Sequence, residues 1–94
     1  MAAYVVLFNW TEQGIKGYRD SASRAEAARE QWKQSGIELK DLYWTIGPYD
    51  LVGVVEAPSD EALTSALLAL GAQGNVRTTT LRAFTAEQFS QLAS

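Results

Sequence analysis

Thr45-Ile46-Gly47-Pro48-Tyr49-Asp50-Leu51-Val52 places a tight Gly-Pro turn and a Tyr-Asp pair directly ahead of an apolar strand. Pro48 cannot continue a strand ladder and Gly47 admits backbone angles closed to other residues, so the chain turns here between two strands. The strand before the turn spans Ile37 to Ile46 and carries charge at Glu38, Lys40 and Asp41; the strand after it spans Leu51 to Ala57. The turn itself has two readings. It is a plain connector whose Asp side chain bonds local amides, or it is the rim of a pocket to which Tyr49 brings a phenol and Asp50 a carboxylate.

Outward from the turn, Tyr4 to Trp10 reads as a first strand, rich in β-branched and aromatic residues. Thr11 suits a helix N-cap, with Trp10 and Ile15 as a hydrophobic staple. Gly14 and Gly17 weaken that helix, so a restart is expected near Ser21 to Ser23, where Ser23-Arg24-Ala25-Glu26 forms a capping box. Ala25, Ala28 and Trp32 then share a face until Gly36 supplies the stop. Downstream, Ser59 caps a helix whose stripe is Ala62, Leu63, Ala66, Leu67 and Leu70, with Asp60 and Glu61 at its positive end. Asn75 to Ala83 is a fourth strand. Thr85-Ala86-Glu87-Gln88 is a further capping box stapled by Phe84 and Phe89, which predicts a terminal helix from Thr85 to about Leu92.

The order βαββαβ plus α makes residues 1–94 a single α+β domain, ferredoxin-like, with an antiparallel four-stranded sheet whose first and third strands are central. Those two strands carry the continuous apolar runs expected of strands buried on both faces. Two or three helices cover only one face, so the other is expected to meet the same face of a second copy. The partners expected are the chain itself, as a homodimer or larger homo-oligomer, and a small molecule.

Composition narrows the chemistry. With 94 residues, 47% hydrophobic and 20% charged, the chain is an ordered domain with one core. No cysteine and no histidine are present, which removes disulfides, thiolate nucleophiles, the commonest metal ligand and the commonest general base. No metal and no cofactor are expected. A net charge of −3 disfavours nucleic acid and anionic membranes as partners, and the apolar runs Tyr4 to Phe8 and Leu51 to Val55 are far short of a membrane span. The N-terminus runs straight into a strand pattern without a signal-peptide composition, so a cytoplasmic location is the default expectation.

Candidate ligand-binding residues cluster at strand ends. The first and third strands are antiparallel neighbours in this topology, so Asn9 and Thr11 at the end of one are expected beside Tyr49 and Asp50 at the start of the other. On the fourth strand Arg77 and Arg82 fall on opposite faces because their separation is odd. They are either solvated edge charges or, singly, an anion-binding group added to that pocket. Trp32, Tyr43 and Trp44 read as packing residues. Gly14 to Gly17 lacks the full dinucleotide-binding spacing, and the third strand lacks the exposed aromatic pattern of an RNA-binding sheet. No catalytic residue is identified.

Several separated segments resemble the GYD domain family of small bacterial and archaeal proteins. They are Tyr4-Val5-Val6-Leu7 running into Asn9-Trp10-Thr11, then Gly47-Pro48-Tyr49-Asp50 followed by Leu51-Val52 and Glu56-Ala57-Pro58, and finally Gly74-Asn75-Val76-Arg77-Thr78 and Thr80-Leu81-Arg82-Ala83-Phe84. The resemblance spans nearly the whole chain and implies a dimeric α/β barrel assembly of ferredoxin-like subunits, in a family whose biochemical role is not established. Some members of the wider dimeric-barrel group are cofactor-free monooxygenases that use Asn, Tyr, Trp and Arg in a cavity between sheet and helices. This chain has those residue types at Asn9, Tyr49, Trp44 and Arg82. A small-molecule binding or sensing module is the reading favoured. The alternatives are a cofactor-independent, monooxygenase-like enzyme on an aromatic or lipid-like substrate, and a structural oligomer component.

Overall fold

A computed structural model describes residues 1–94. The first strand, β1 (Ala2–Trp10), lies in the middle of a four-stranded sheet of order β2-β3-β1-β4, every neighbour antiparallel. β3 (Leu51–Ala57) pairs with it from Ala2 opposite Ala57 to Phe8 opposite Leu51, and β4 (Val76–Ala83) from Ala3 opposite Ala83 to Trp10 opposite Val76. β2 (Glu38–Trp44) pairs with β3 at the other edge, with a register shift between Leu39 and Asp41. The central place of the two most apolar strands follows from their runs of Val, Leu and Phe, which a sheet edge would leave half wet.

β2 is shorter at both ends than its apolar boundaries predict. Ile37 is fully buried but precedes the ladder, after Gly36 at φ 76° ends the helix. Ile46 lies in the turn and is wholly exposed. Asn75 likewise stands one residue outside β4.

Alternation sorts the side chains. Tyr4, Val6 and Phe8 of β1, with Leu51, Val55 and Ala57 of β3, are buried under two helices, α2 (Ser21–Gln34) and α3 (Asp60–Ala72). Trp32 of α2 and Leu63 of α3 complete that core together with Ile37 and Leu39. The intervening residues point to the other face: Val5 and Leu7, then Val52 and Val54, flanked by Tyr43 on β2 and Leu81 on β4. Leu81 is 49% exposed and Tyr43 62%. The molecule is a slab of 48 × 30 × 17 Å.

The helix starts show which local signals win. Thr11 caps the short α1 (Glu12–Lys16) through Gly14 N–H, and Ser59 caps α3 through Ala62 N–H, as their side chains predict. The box at Ser23 does not form. A 3-10 turn over Tyr18–Asp20 delivers the chain into α2 at Ser21, inside the expected window but three residues ahead of a helix capped by Ser23, and the Ser23 hydroxyl donates instead to Asp20 O at 3.0 Å. The last helix, α4 (Ala86–Leu92), has both halves of its Thr85–Gln88 capping box. It buries no residue and leaves Phe84, Phe89 and Leu92 exposed.

Candidate functional site

The turn before β3 is built by its own polar groups. Gly47, at φ 138°, takes a conformation that a side chain resists. Thr45 N–H donates to Asp50 O at 2.8 Å, and the Thr45 hydroxyl to Tyr49 O at 2.6 Å. Asp50 N–H donates to Phe8 O at 2.8 Å, and its carboxylate accepts from Trp10 N–H at 2.8 Å. The side chain thus stands in for the next rung of the β1–β3 ladder. Asn9 fastens the same turn from the other side, donating to Pro48 O at 2.7 Å. Asn9, Tyr49 and Asp50 therefore meet at one sheet end, with the two polar clamps spent on backbone; the half-buried Tyr49 makes no side-chain hydrogen bond.

Thr11 is equally committed. Its hydroxyl donates to Gly74 O at 2.5 Å and accepts from Gly14 N–H, while its own N–H reaches Asn75 O. A Cβ on Gly14 would lie 1.9 Å from Asn75 O, so only glycine lets α1 close on the α3–β4 loop. Arg77 pairs with Asn9 across the β1–β4 ladder and projects from the open face. Arg82 is at the opposite end of the sheet, beside Tyr4, and is not brought to the other five. Its guanidinium lies 4.6 Å from the Phe84 ring centroid and 5.5 Å from that of Tyr4, and it donates to Ala3 O and Ala83 O. The Tyr4 hydroxyl donates to the Asp60 carboxylate. That bond, then burial, holds the Tyr4 phenol above its usual value.

A second place is a cavity of about 70 Å³ between α2 and the sheet. Ser21, Arg24, Ala25, Ala28 and Trp32 recur every three or four residues and so share the face of α2 turned to the strands. Among its apolar side chains only Trp32 is large. The alanines cannot reach the floor formed by Phe8, Trp10 and Leu51, and the void is what their missing side chains leave. A groove between α2 and α3, bordered by Ala27, Gln31, Ala66 and Ala69, shares Arg24, Ala28, Trp32, Leu70 and Gln73 with the cavity. Trp44 Nε1 donates to Ser21 Oγ at 2.9 Å. Sequence reasoning missed this site. Its signal was Ala25 and Ala28 on the face that also carries Trp32.

No group of three or more side chains is arranged to hold a metal ion, and no helix is long and apolar enough to cross a membrane.

The Gly-Pro-Tyr-Asp turn, clamped by Asn9, joins strands in a pattern for which the GYD domain model matches residues 4–93. The chain belongs to the GYD domain family. A relative of this GYD protein in Thermus thermophilus, the glutamine synthetase and cystathionine beta-lyase binding protein, is 31% identical over 84 residues, covering 88% of each chain. The crystal structure of TTHA0845, also from Thermus thermophilus, aligns with 28% identity and TM-score 0.57 over 92% of this chain and 96% of that one. MtbAldR shares the fold at TM-score 0.71 and 19% identity over 89% of this chain, which spans about half (52%) of its length.

Proposed function

We propose that this GYD domain is a binding module that works as a homodimer closed sheet face to sheet face, and that it docks on a metabolic enzyme. The uncovered face carries the first half of this reading. The accessible surface, 6222 Å², exceeds by ~900 Å² what a folded monomer of 10.3 kDa presents by size scaling. That excess is close to the ~800 Å² that one partner buries in a standard interface. Val5, Leu7, Val52 and Val54 form an apolar centre, and a twofold axis sets the same patch against itself.

The second half is supported by the Thermus thermophilus relative, whose name states that it binds two enzymes. Light scattering at micromolar concentration tests the homodimer, and a stable monomer would sink it. Surface-immobilised homodimer tested against purified glutamine synthetase and cystathionine beta-lyase tests docking; no response from either at tens of micromolar removes that half alone.

The cavity under α2 favours a second reading, capture of a small molecule. Asn9, Tyr49, Trp44 and Arg82 do not line it, which supports a binding rather than an oxygenase role for the site.

A further inference from the structure

We propose that the cavity under α2 binds a small carboxylate with an apolar body of three or four carbons, and that it selects against both the neutral amide and the amino acid of the same shape. This inference rests on the small-molecule reading and assigns its ligand. The walls are apolar: ten of the fourteen lining residues are hydrophobic, among them Phe8, Trp10, Trp32 and Leu51. Its volume is about half of the ~150 Å³ that accommodates benzene in an engineered core cavity. A branched or short aliphatic body fits there.

The polar groups of the lining set the charge of what binds. They are Ser21, Arg24, Gln73 and Asn75, and no Asp or Glu is among the lining residues. Arg24 forms no salt bridge; the ion pairs of the chain are Lys33–Glu30 and Lys40–Glu38. Its guanidinium is fixed by two backbone carbonyls, Gly17 O at 2.9 Å and Gly14 O at 3.4 Å, which orient it without neutralising it and leave N–H groups unspent. Ser21 is 8% exposed and its oxygen accepts from Trp44, so its own proton is free to donate. Asn75 accepts from Gln13 through Oδ1, which leaves its amide protons free. Ser21 and Arg24 also occupy the first turn of a 14-residue helix, whose dipole favours negative charge at that end.

One cation, a buried hydroxyl donor and an amide donor thus line one apolar void beside a helix N-terminus. A carboxylate satisfies them all. An α-ammonium group beside it would meet Arg24 and no carboxylate.

The readout is built in, because Trp10 and Trp32 line the void. Tryptophan fluorescence of the full-length protein is titrated with isovalerate, isovaleramide and valine, the amide and the amino acid of the same carbon skeleton. The expected result is a saturable change with isovalerate, an affinity lower by roughly ten- to a hundredfold for isovaleramide, as the loss of a charged hydrogen bond implies, and a weaker affinity than isovalerate's for valine, whose ammonium meets Arg24 with no lining carboxylate to pair it. Valine binding as tightly as isovalerate overturns the selection against the amino acid. R24Q is expected to bring isovalerate down to the level of the amide. A28L is expected to fill the void and abolish the response, with the far-ultraviolet dichroism of both variants confirming an intact fold. Equal affinity for acid and amide, or an isovalerate response unmoved by R24Q, overturns the carboxylate assignment while leaving small-molecule capture standing. No saturable response to any of the three at millimolar concentration overturns both, and the subunit mass of the same sample keeps the homodimer question separate.

Discussion

The two faces of the sheet are written by the same residues in alternation, yet they are finished differently. Val55 points into the helix-covered face and is fully buried, while Val54 beside it points outward and is half-buried at the centre of a bare apolar patch. One face is completed within the chain by Trp32, Leu63 and Ile37. The other has the same aliphatic chemistry and no covering element. Packing of the helices is therefore an intramolecular matter, whereas the other half of the sheet is left bare by its own chain and is the face assigned above to the proposed homodimer.

Adjacent substitutions separate the two most sharply. V55D places an unpaired charge in the closed core and is expected to cost about 4 kcal/mol or more, enough to unfold a domain of this size in a dichroism melt. V54D is expected to leave the monomer folded and to halve the mass in light scattering. If both variants unfold alike, folding and pairing are inseparable and the distinction between faces fails.

Deleting Thr85–Ser94 comes next. No residue of α4 is itself buried, so the truncation is expected to remove that helix's share of the dichroism signal and to leave the melting temperature of the monomer unchanged. Any loss of dimer mass on dilution would report contacts between α4 and the partner. A truncated protein with the wild-type dissociation profile would show that Phe89 and Leu92 serve neither face.

Asp50→Ala tests the join between the central strands. It leaves Trp10 N–H without its acceptor and is expected to cost about 1–3 kcal/mol in denaturant unfolding with dimer mass unaltered. A neutral result would mean that the ladder needs no clamp.

The smallest effect concerns pH. The Tyr4 phenol is held above its ordinary value of 10.0, chiefly by its bond to Asp60. A raised folded-state value stabilises the fold fully below the unfolded value, and this contribution is lost as pH rises through the folded one. Melting temperature should fall above about pH 10, and Tyr4→Phe should flatten that limb; an unchanged limb would assign the alkaline loss to other groups.

What could be read in the sequence was whatever depends on a residue and its near neighbours. The caps at Thr11, Ser59 and Thr85 each need one side-chain oxygen and an amide two or three residues on, so they were legible, as was the order of strands. The ends of β2 were not, because Ile37 and Ile46 are equally apolar and only the assembled core decides that one is a plug and the other sits in a turn. The box at Ser23 lost to the preceding 3-10 turn, a competition that spacing cannot score. The meeting of Asn9 with the Gly-Pro turn followed from topology. That its amide and the Asp50 carboxylate are spent on Pro48 O and Trp10 N–H depended on coordinates. The cavity was hidden for a different reason: alanine on a helix face is a good helix former, and the space it leaves belongs to no motif.

The position of β1 shapes how this protein comes off the ribosome. It is synthesised first, but both of its neighbours lie far downstream, β3 at Leu51–Ala57 and β4 at Val76–Ala83, and Thr11 waits for Gly74 to close the loop beneath it. At about 5–20 residues per second the nascent chain carries an unpaired apolar strand for several seconds. The Tyr4 to Phe8 tract that holds the finished sheet together is thus also its chief liability before completion, the stretch on which chaperone protection and the avoidance of aggregation depend.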